Sequence, residues 1–191
     1  MEPKKLLEIL HMAENLKDTT RHCYTSGGRH ESVAEHCWRV CLMTYFLRDV
    51  FPDADMDKVI RMCLVHDLGE AFTGDIPAFE KTAVHEQEES SRLNAWVQSL
   101  SDFYCKELTE LYLEMAERKS LESKIYKAAD GLEALVQHNE SDISTWLPLE
   151  YDLNMTYAND KVEFSPYLCE LRQEIRNETL RKMEEAEKED Q

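Results

Sequence analysis

The side chains best suited to chemistry in this sequence are histidines and acids between residues 30 and 80. His36 ends the run HESVAEH, and the adjacent pair His66 and Asp67 opens the run HDLGEAFTGDIP. Imidazole nitrogens and carboxylate oxygens together suit a divalent cation such as Co, Mn, Fe, Ni or Zn. A lone histidine on a helix more often serves as a hydrogen-bonded core residue, but this combination favours a metal centre of the kind found in hydrolases.

Helical periodicity indicates how these side chains could approach one another. His36 lies on the apolar face of a helix that the capping box Ser32–Glu35 is expected to begin. His66 lies on the apolar face of the next helix, for which Asp55 is the expected N-cap, and Asp67 projects about 100° further around the axis. Antiparallel packing of the two helices would bring both histidines together, although the spacing permits this geometry without requiring it.

Apolar side chains at helical spacing recur along most of the chain, and 5 Gly and 5 Pro leave little material for a β-rich architecture. We therefore expect an all-α, single-domain helical bundle over residues 1–185, with the ligand region at 30–138 and a frayed tail at 186–191. Helices are predicted at 3–17, from Val33 towards Pro52, from Asp55 to His66, and at 82–100, 103–118, 120–138 and 165–188. A Gly27-Gly28 loop precedes the second helix, and 139–164 is predicted to hold a short helix that Pro148 breaks, followed by helix or ordered loop.

The formal net charge of −17 argues against binding to a nucleic acid polymer or an anionic membrane, since both require a basic surface. A small anionic substrate is compatible with this charge, because a metal and a few arginines reverse the field locally. No stretch approaches the roughly 20 apolar residues of a membrane span, and the N-terminus does not lead into a signal-peptide apolar region. The six cysteines form no CxxC pair and are expected to be reduced, which favours a cytoplasmic location.

In order and spacing, His36, the His66-Asp67 pair and Asp130 resemble the His…His-Asp…Asp motif of the HD-domain superfamily. Within it, residues 5–140 are similar to the bacterial 5'-deoxynucleotidases and their eukaryotic HD-domain-containing relatives, most specifically in the run HDLGEAFTGDIP. The resemblance implies an HD-domain bundle and makes these four side chains the ligands of one divalent cation. Periodicity alone would turn Asp130 towards solvent, because it lies away from the centre of the apolar stripe of its helix.

Two further acids and three basic residues acquire roles beside this metal. Glu70 lies one helical turn beyond the His-Asp pair and Asp75 follows a glycine turn, and in the resembled family both acids act in hydrolysis. Arg21 matches the arginine of that family that holds the substrate phosphate, which a guanidinium binds through two oxygens. His22 stands where the family usually has tryptophan, which leaves base and sugar selectivity open, and Arg29 is a further substrate-binding candidate.

The function that these residues favour is hydrolysis of 5'-deoxynucleoside monophosphates to deoxynucleoside and phosphate by metal-activated water. No motif for a nucleophile that forms a phospho-enzyme accompanies them. The expected partner is a nucleotide substrate, and the expected assembly is a homodimer. Three alternatives stay open: another HD-domain phosphohydrolase acting on phosphodiesters or pyrophosphates, a nonenzymatic nucleotide-binding protein, and a two-metal oxygenase that would use His85 and His138.

Overall fold

Helices account for most of residues 1–189, the part of the chain that this computed structural model describes. That part contains ten α-helices, a 3₁₀ turn at Ile143–Thr145 and a two-stranded antiparallel sheet. The elements run in the order α1 (Pro3–Asp18), β1 (Thr20–Tyr24), β2 (His30–Ser32), α2 (Val33–Phe46), α3 (Met56–Val65), α4 (Glu70–Thr73), α5 (Ala83–Gln98), α6 (Asp102–Glu117), α7 (Leu121–Glu140), α8 (Pro148–Thr156), α9 (Asn159–Val162) and α10 (Pro166–Glu189). The expected all-α, single-domain bundle is confirmed, and none of the described helices is long and apolar enough to cross a membrane.

A β-hairpin occupies the segment between α1 and α2, where the sequence predicts only a Gly-Gly loop. Strands β1 and β2 flank that loop, and the Thr25 N–H donates to the Arg29 carbonyl oxygen at 2.7 Å. Gly28 adopts a φ of 79°, a left-handed conformation that strains residues carrying a Cβ. The strands escaped prediction because their residues are mostly polar and show no apolar alternation.

Both helices that carry the histidines begin as the sequence predicts. The Ser32 hydroxyl accepts from the Glu35 N–H at 3.3 Å, and the Glu35 carboxylate accepts from the Ser32 N–H at 3.0 Å. Asp55 caps α3 by accepting from the Lys58 N–H at 2.9 Å. The difference lies at the end of α2, which stops at Phe46 and gives way to a run of turns.

Helix α7 is the centre of the bundle and packs against α2, α3 and α10. Ile125 and Leu132 are fully buried in the core between these helices. Helix α9 covers another side of α7 so closely that a Cβ on Gly131 would lie 3.1 Å from the Ala158 Cβ. Because α7 is enclosed on more than one side, the Asp130 side chain is only 15% exposed, and the solvent-facing orientation that periodicity predicts is wrong.

The segment after α7 contains more helix than the sequence predicts. Pro148 begins α8 instead of breaking a helix, because a proline in the first helical turn loses no intrahelical hydrogen bond. The Glu150 carboxylate completes this start by accepting from the Leu147 N–H at 2.6 Å. A position that looks like a helix breaker in the sequence is therefore a helix start.

The C-terminal helix α10 begins at Pro166 as predicted and continues through residues 186–189, which the sequence assigns to a frayed tail. The last two residues of that predicted tail, 190 and 191, lie outside the described residues.

Replacing Ser32 by Ala should lower the free energy of unfolding by about 1 kcal/mol, because the N–H of Glu35 loses its capping acceptor. Urea denaturation followed by circular dichroism measures this change. Ser90→Ala on the exposed face of α5 is the matched control and should cost little, since Ala is the better helix former. Equal stabilities for the two variants would show that the capping box does not hold the start of α2.

Candidate metal centre and active site

Four candidate ligand atoms meet where α2, α3 and α7 converge. His66 Nε2 lies 3.4 Å from His36 Nε2 and 3.0 Å from Asp67 Oδ2. His36 Nε2 lies 3.2 Å from Asp130 Oδ1, which is 3.7 Å from His66 Nε2. Both imidazoles are buried, whereas each carboxylate keeps a small exposed fraction. The structure thus brings together the four residues that the resemblance identifies.

Each histidine is held by a hydrogen bond on the ring nitrogen that faces away from this cluster. His36 Nδ1 pairs with the Glu133 carboxylate, and His66 Nδ1 donates to the Cys63 carbonyl oxygen at 2.8 Å. Because these partners accept the Nδ1 hydrogen, each Nε2 presents its lone pair to the cluster. Sequence reasoning missed Glu133, although its place one helical turn after Asp130 is a usable signal.

The two carboxylates stay ionised in this setting. Burial opposes ionisation of Asp67, but the adjacent His66 holds the pKa of Asp67 well below its usual range. Burial opposes ionisation of Asp130 as well, and Lys127, whose Nζ is 2.7 Å from Oδ2, lowers the pKa of Asp130 well below its usual range. Burial opposes protonation of His36 and His66, but the neighbouring carboxylates raise the pKa of both imidazoles, and a divalent cation can supply that positive charge in their place.

The donor atoms and their spacing fit a transition-metal cation. Ligand atoms bound at about 2.1 Å to a tetrahedral ion lie about 3.4 Å apart. The two imidazole nitrogens lie 3.4 Å from each other and 3.0 to 3.8 Å from the carboxylate oxygens of Asp67 and Asp130. A mixed set of imidazole nitrogens and carboxylate oxygens restricts the ion to the Co, Mn, Fe, Ni or Zn class.

A cavity of about 310 Å³ opens beside the cluster, and its wall includes Glu70 and Asp75. Glu70 begins α4, and Gly74, with a φ of 80°, turns the chain just before Asp75. Glu70 is buried, and its Oε2 has no hydrogen-bond partner among the described residues. Burial, followed by the charges of Asp67 and Asp75, raises the pKa of Glu70 to about 10. An unpartnered buried carboxyl group at a cavity indicates that a bound molecule or ion completes its bonding.

Of the three predicted substrate-binding residues, the structure places two at the cavity. Arg21 and His22 extend from β1 to line it, and Arg21 Nε lies 3.2 Å from Glu31 Oε2 without the alignment of a hydrogen bond. Arg29 lies elsewhere, because its Nη1 donates to Glu35 at 2.9 Å and its side chain is 62% exposed. That pairing holds Arg29 at the start of α2 and removes it from the candidate site.

Two lysines that sequence reasoning missed also line the cavity, Lys81 and Lys127. Lys127 lies three residues before Asp130 on α7, a spacing that the sequence displays. His85, in contrast, serves the start of α5, where its Nδ1 accepts from the Thr82 N–H at 3.3 Å. The two-metal arrangement that would combine His85 with the His-Asp cluster therefore does not form in the described chain.

Comparison with known proteins identifies the class. A family model described as "HD domain" matches residues 13–172, which include the hairpin and all four candidate ligands. The chain belongs to the HD-domain family, and the resemblance seen in the motif is confirmed.

One relative and two solved structures are examples of proteins to which the chain is similar. The 5'-deoxynucleotidase HDDC2 of Homo sapiens is 33% identical over 142 residues, which cover 72% of this chain and 68% of the human protein. The crystal structure of a predicted metal-dependent phosphohydrolase from Magnetospirillum magnetotacticum MS-1 has a TM-score of 0.78 at 23% identity and covers 93% of this chain and 92% of that one. The cyanophage S-2L HD phosphohydrolase DatZ, bound to dA and one catalytic Zn²⁺ ion, has a TM-score of 0.57 at 19% identity over 92% of this chain and 96% of that one. At these identities, the two solved structures support the fold.

Replacing either His66 or Asp67 by Ala should remove the cation of this site and stop hydrolysis, because each change deletes a ligand. Helical content should stay near that of the parent, since the apolar core of α2, α3 and α7 is intact. Elemental analysis after loading with Mn²⁺ and far-ultraviolet circular dichroism measure the two quantities. His11→Ala, on the exposed side of α1, is the matched control. Mn²⁺ content equal to that of the parent in both site variants would contradict the ligand assignment.

Proposed function

We propose that this protein is a metal-dependent phosphomonoesterase that converts 5'-deoxynucleoside monophosphates to deoxynucleosides and phosphate. The observation that carries the proposal is a cavity with Asp67 and Asp130, the two carboxylates of the four-donor cluster, on one part of its wall and Arg21 on another. A phosphate ester bound there meets both a cation site and a guanidinium. The human relative named 5'-deoxynucleotidase supports the same substrate class.

In this proposal His36, His66, Asp67 and Asp130 hold one divalent cation. When bound, such a cation lowers the pKa of water and polarises a phosphoryl oxygen. The hydrogen bonds on both Nδ1 atoms keep the imidazoles oriented for this task. Zinc in the structure of DatZ supports an ion of this class, and the donors here also accept Co, Mn, Fe or Ni.

Glu70 and Asp75 handle the protons of the reaction. Hydrolysis of a phosphate ester takes one proton from the attacking water and delivers one to the departing 5'-oxygen. Both acids line the cavity, and the burial of Glu70 keeps bulk water from competing for its carboxyl group. No serine, cysteine or aspartate nucleophile is assigned, so water attacks phosphorus directly.

Arg21 binds the phosphate. Its position beside Glu31 fixes the guanidinium at the cavity wall, and a guanidinium fork matches two phosphate oxygens. His22 lies next to it, edge-on to Phe79 with 5.3 Å between ring centroids, and is available to the sugar or base. Arg29 has no part in this arrangement, because it is paired with Glu35 outside the cavity.

Product analysis tests the proposal against other HD-domain phosphohydrolases. The panel contains 5'- and 3'-nucleotides, ribo and deoxy, together with a dinucleotide and a nucleoside triphosphate, each assayed with Mn²⁺, Co²⁺ and Zn²⁺. Orthophosphate and nucleoside from 5'-deoxynucleotides are the expected products. Release of a nucleotide from the dinucleotide, or of pyrophosphate from the triphosphate, as the dominant activity would instead favour a phosphodiesterase or a pyrophosphohydrolase.

A homodimer and a cytoplasmic location complete the proposal. Large apolar side chains are exposed on α2, where Trp38, Tyr45 and Phe46 are each more than half exposed. These three residues are the candidate contact surface. Sedimentation of the parent and of Phe46→Glu measures the assembly directly.

Replacing Glu70 by Ala should leave about one cation per chain bound at the site of His36, His66, Asp67 and Asp130. Turnover should fall by about 10²- to 10⁴-fold, the usual range for a positioned acid or base. Elemental analysis and initial rates of phosphate release separate the two effects. Glu88→Ala, an exposed acid on α5, is the matched control and should retain parental turnover. A Glu70→Ala enzyme with unchanged turnover would reduce Glu70 to a structural residue.

Replacing Arg21 by Ala should chiefly raise KM, with a further loss of kcat if the guanidinium also stabilises charge in the transition state. Arg21→Lys should recover only part of the activity, because an ammonium group lacks the bidentate fork. Arg29→Ala is the control for removing a neighbouring arginine and should leave both constants unchanged. Identical kinetics for the Ala variant of Arg21 and the parent would assign phosphate binding to another cavity residue.

A further inference from the structure

A second group of metal-ligating side chains faces the same cavity, and the proposed function makes no use of it as a group. His22 comes from β1, His138 from the last turn of α7 and Glu150 from α8. His138 Nε2 lies 3.4 Å from His22 Nε2 and 3.0 Å from Glu150 Oε1, and the same Oε1 also contacts His22 Nε2. Three potential ligand atoms from three separate elements therefore converge on one point.

Two of the three separations match those of ligands around a small cation, because two ligands at about 2.1 Å from a tetrahedral ion are about 3.4 Å apart. The third pair, His22 Nε2 and Glu150 Oε1, is in direct contact and would have to separate for an ion to bind between the two atoms. The three atoms lie within 4.8 Å of one another, as do those of His36, His66 and Asp67 in the first site. No residue is shared between the two groups.

The Glu150 carboxyl group faces the two histidines and no other basic side chain. This residue is only 1% exposed. Within the described chain, the only basic groups within 4 Å of its oxygens are the two imidazoles. A cation bound between the three side chains would therefore meet a carboxyl oxygen that no lysine or arginine contacts.

The surroundings fix two of the three ligands in place. Glu150 Oε2 accepts the Leu147 N–H that starts α8, which leaves Oε1 directed at the histidines. Asn154 Nδ2 lies 3.2 Å from His138 Nδ1 and holds the ring in place. With the amide turned over, its oxygen would accept the Nδ1 hydrogen and leave Nε2 free for a metal. Trp146 packs against the His138 ring with 5.1 Å between centroids. A group held in this way resembles a prepared ligand set.

We propose that His22, His138 and Glu150 form a second metal site, which binds a cation of the Zn²⁺ class with an open position towards the cavity. Three protein ligands plus an open position are typical of zinc sites that also bind a small molecule. The His22 side chain is 33% exposed, so the site is accessible from the cavity. An ion there can coordinate a hydroxyl group or ring nitrogen of the molecule that occupies the cavity.

Metal stoichiometry tests this site independently of any enzymatic activity. The full chain is stripped with a chelator, loaded with excess Zn²⁺, desalted and analysed for metal per chain. The parent should hold two Zn²⁺, and His22→Gln and Glu150→Gln should each hold one. The amide oxygen introduced by Glu150→Gln can still accept the Leu147 N–H, which protects the start of α8 in that variant. His11→Gln, which removes an exposed histidine from α1, should still hold two.

The His66→Ala variant distinguishes the first site from the second. It should hold one Zn²⁺, because His22, His138 and Glu150 are intact. Anomalous diffraction at the zinc edge locates the ion, and a peak beside Glu150 Oε1 is the expected result. A parent protein with a single Zn²⁺ at the first site would overturn the proposal. So would equal Zn²⁺ content in the parent, His22→Gln and Glu150→Gln, because the three side chains would then form a hydrogen-bond network only.

Discussion

The rest of this structure depends on one constraint, which is that two imidazoles and two carboxylates must lie against one another inside a helical bundle. Buried polar groups without partners cost on the order of several kcal/mol each, so the bundle has to supply either bonds or charge. At Nδ1, His36 is hydrogen-bonded to the Glu133 carboxylate, and His66 donates to the Cys63 carbonyl oxygen. Positive charge between the four inner atoms comes from the protein through Lys127 and the imidazoles, or from a cation that takes the place of the imidazole protons.

A second layer of ion pairs extends this constraint outward from the cluster. Arg39 Nε lies 3.3 Å from Glu133 Oε1, and its Nη1 pairs with Glu140 at 2.7 Å. Glu31, buried close to Glu133, holds Arg21 at the cavity wall. The arginine proposed for the phosphate and the histidine proposed for the metal are thus positioned by neighbouring buried glutamates. Substitutions of Glu31 or Glu133 should therefore disturb both phosphate binding and metal binding.

Features of the site that depend on local sequence could be predicted, and features that depend on distant packing could not. The starts of α2 and α3 follow from Ser32 and Asp55, because a cap bonds within three residues of itself. The approach of His36 and His66 follows from the apolar faces of adjacent helices. Family resemblance was needed for Asp130, because periodicity within α7 does not reveal that His36 and His66 from neighbouring segments lie against its carboxylate.

The errors have the same origin. Arg29 looked like a substrate residue because it is basic and near the motif, but the hairpin pairing that sends it to Glu35 involves polar strands without a periodic signal. The sequence also did not predict that His22, His138 and Glu150 lie together. It requires α8, which begins at Pro148, where the sequence predicts the end of a short helix and leaves the following stretch open as helix or ordered loop.

The central claim is that α2, α3 and α7 bring four side chains together in order to hold one cation. A crystal grown with Mn²⁺ and measured at the manganese edge tests this claim most directly. We expect an anomalous peak between His36 Nε2, His66 Nε2 and the carboxylates of Asp67 and Asp130, at about 2.0 to 2.3 Å from each ligand atom. A map with no peak at this position, in which the four side chains bond only to one another, would contradict it.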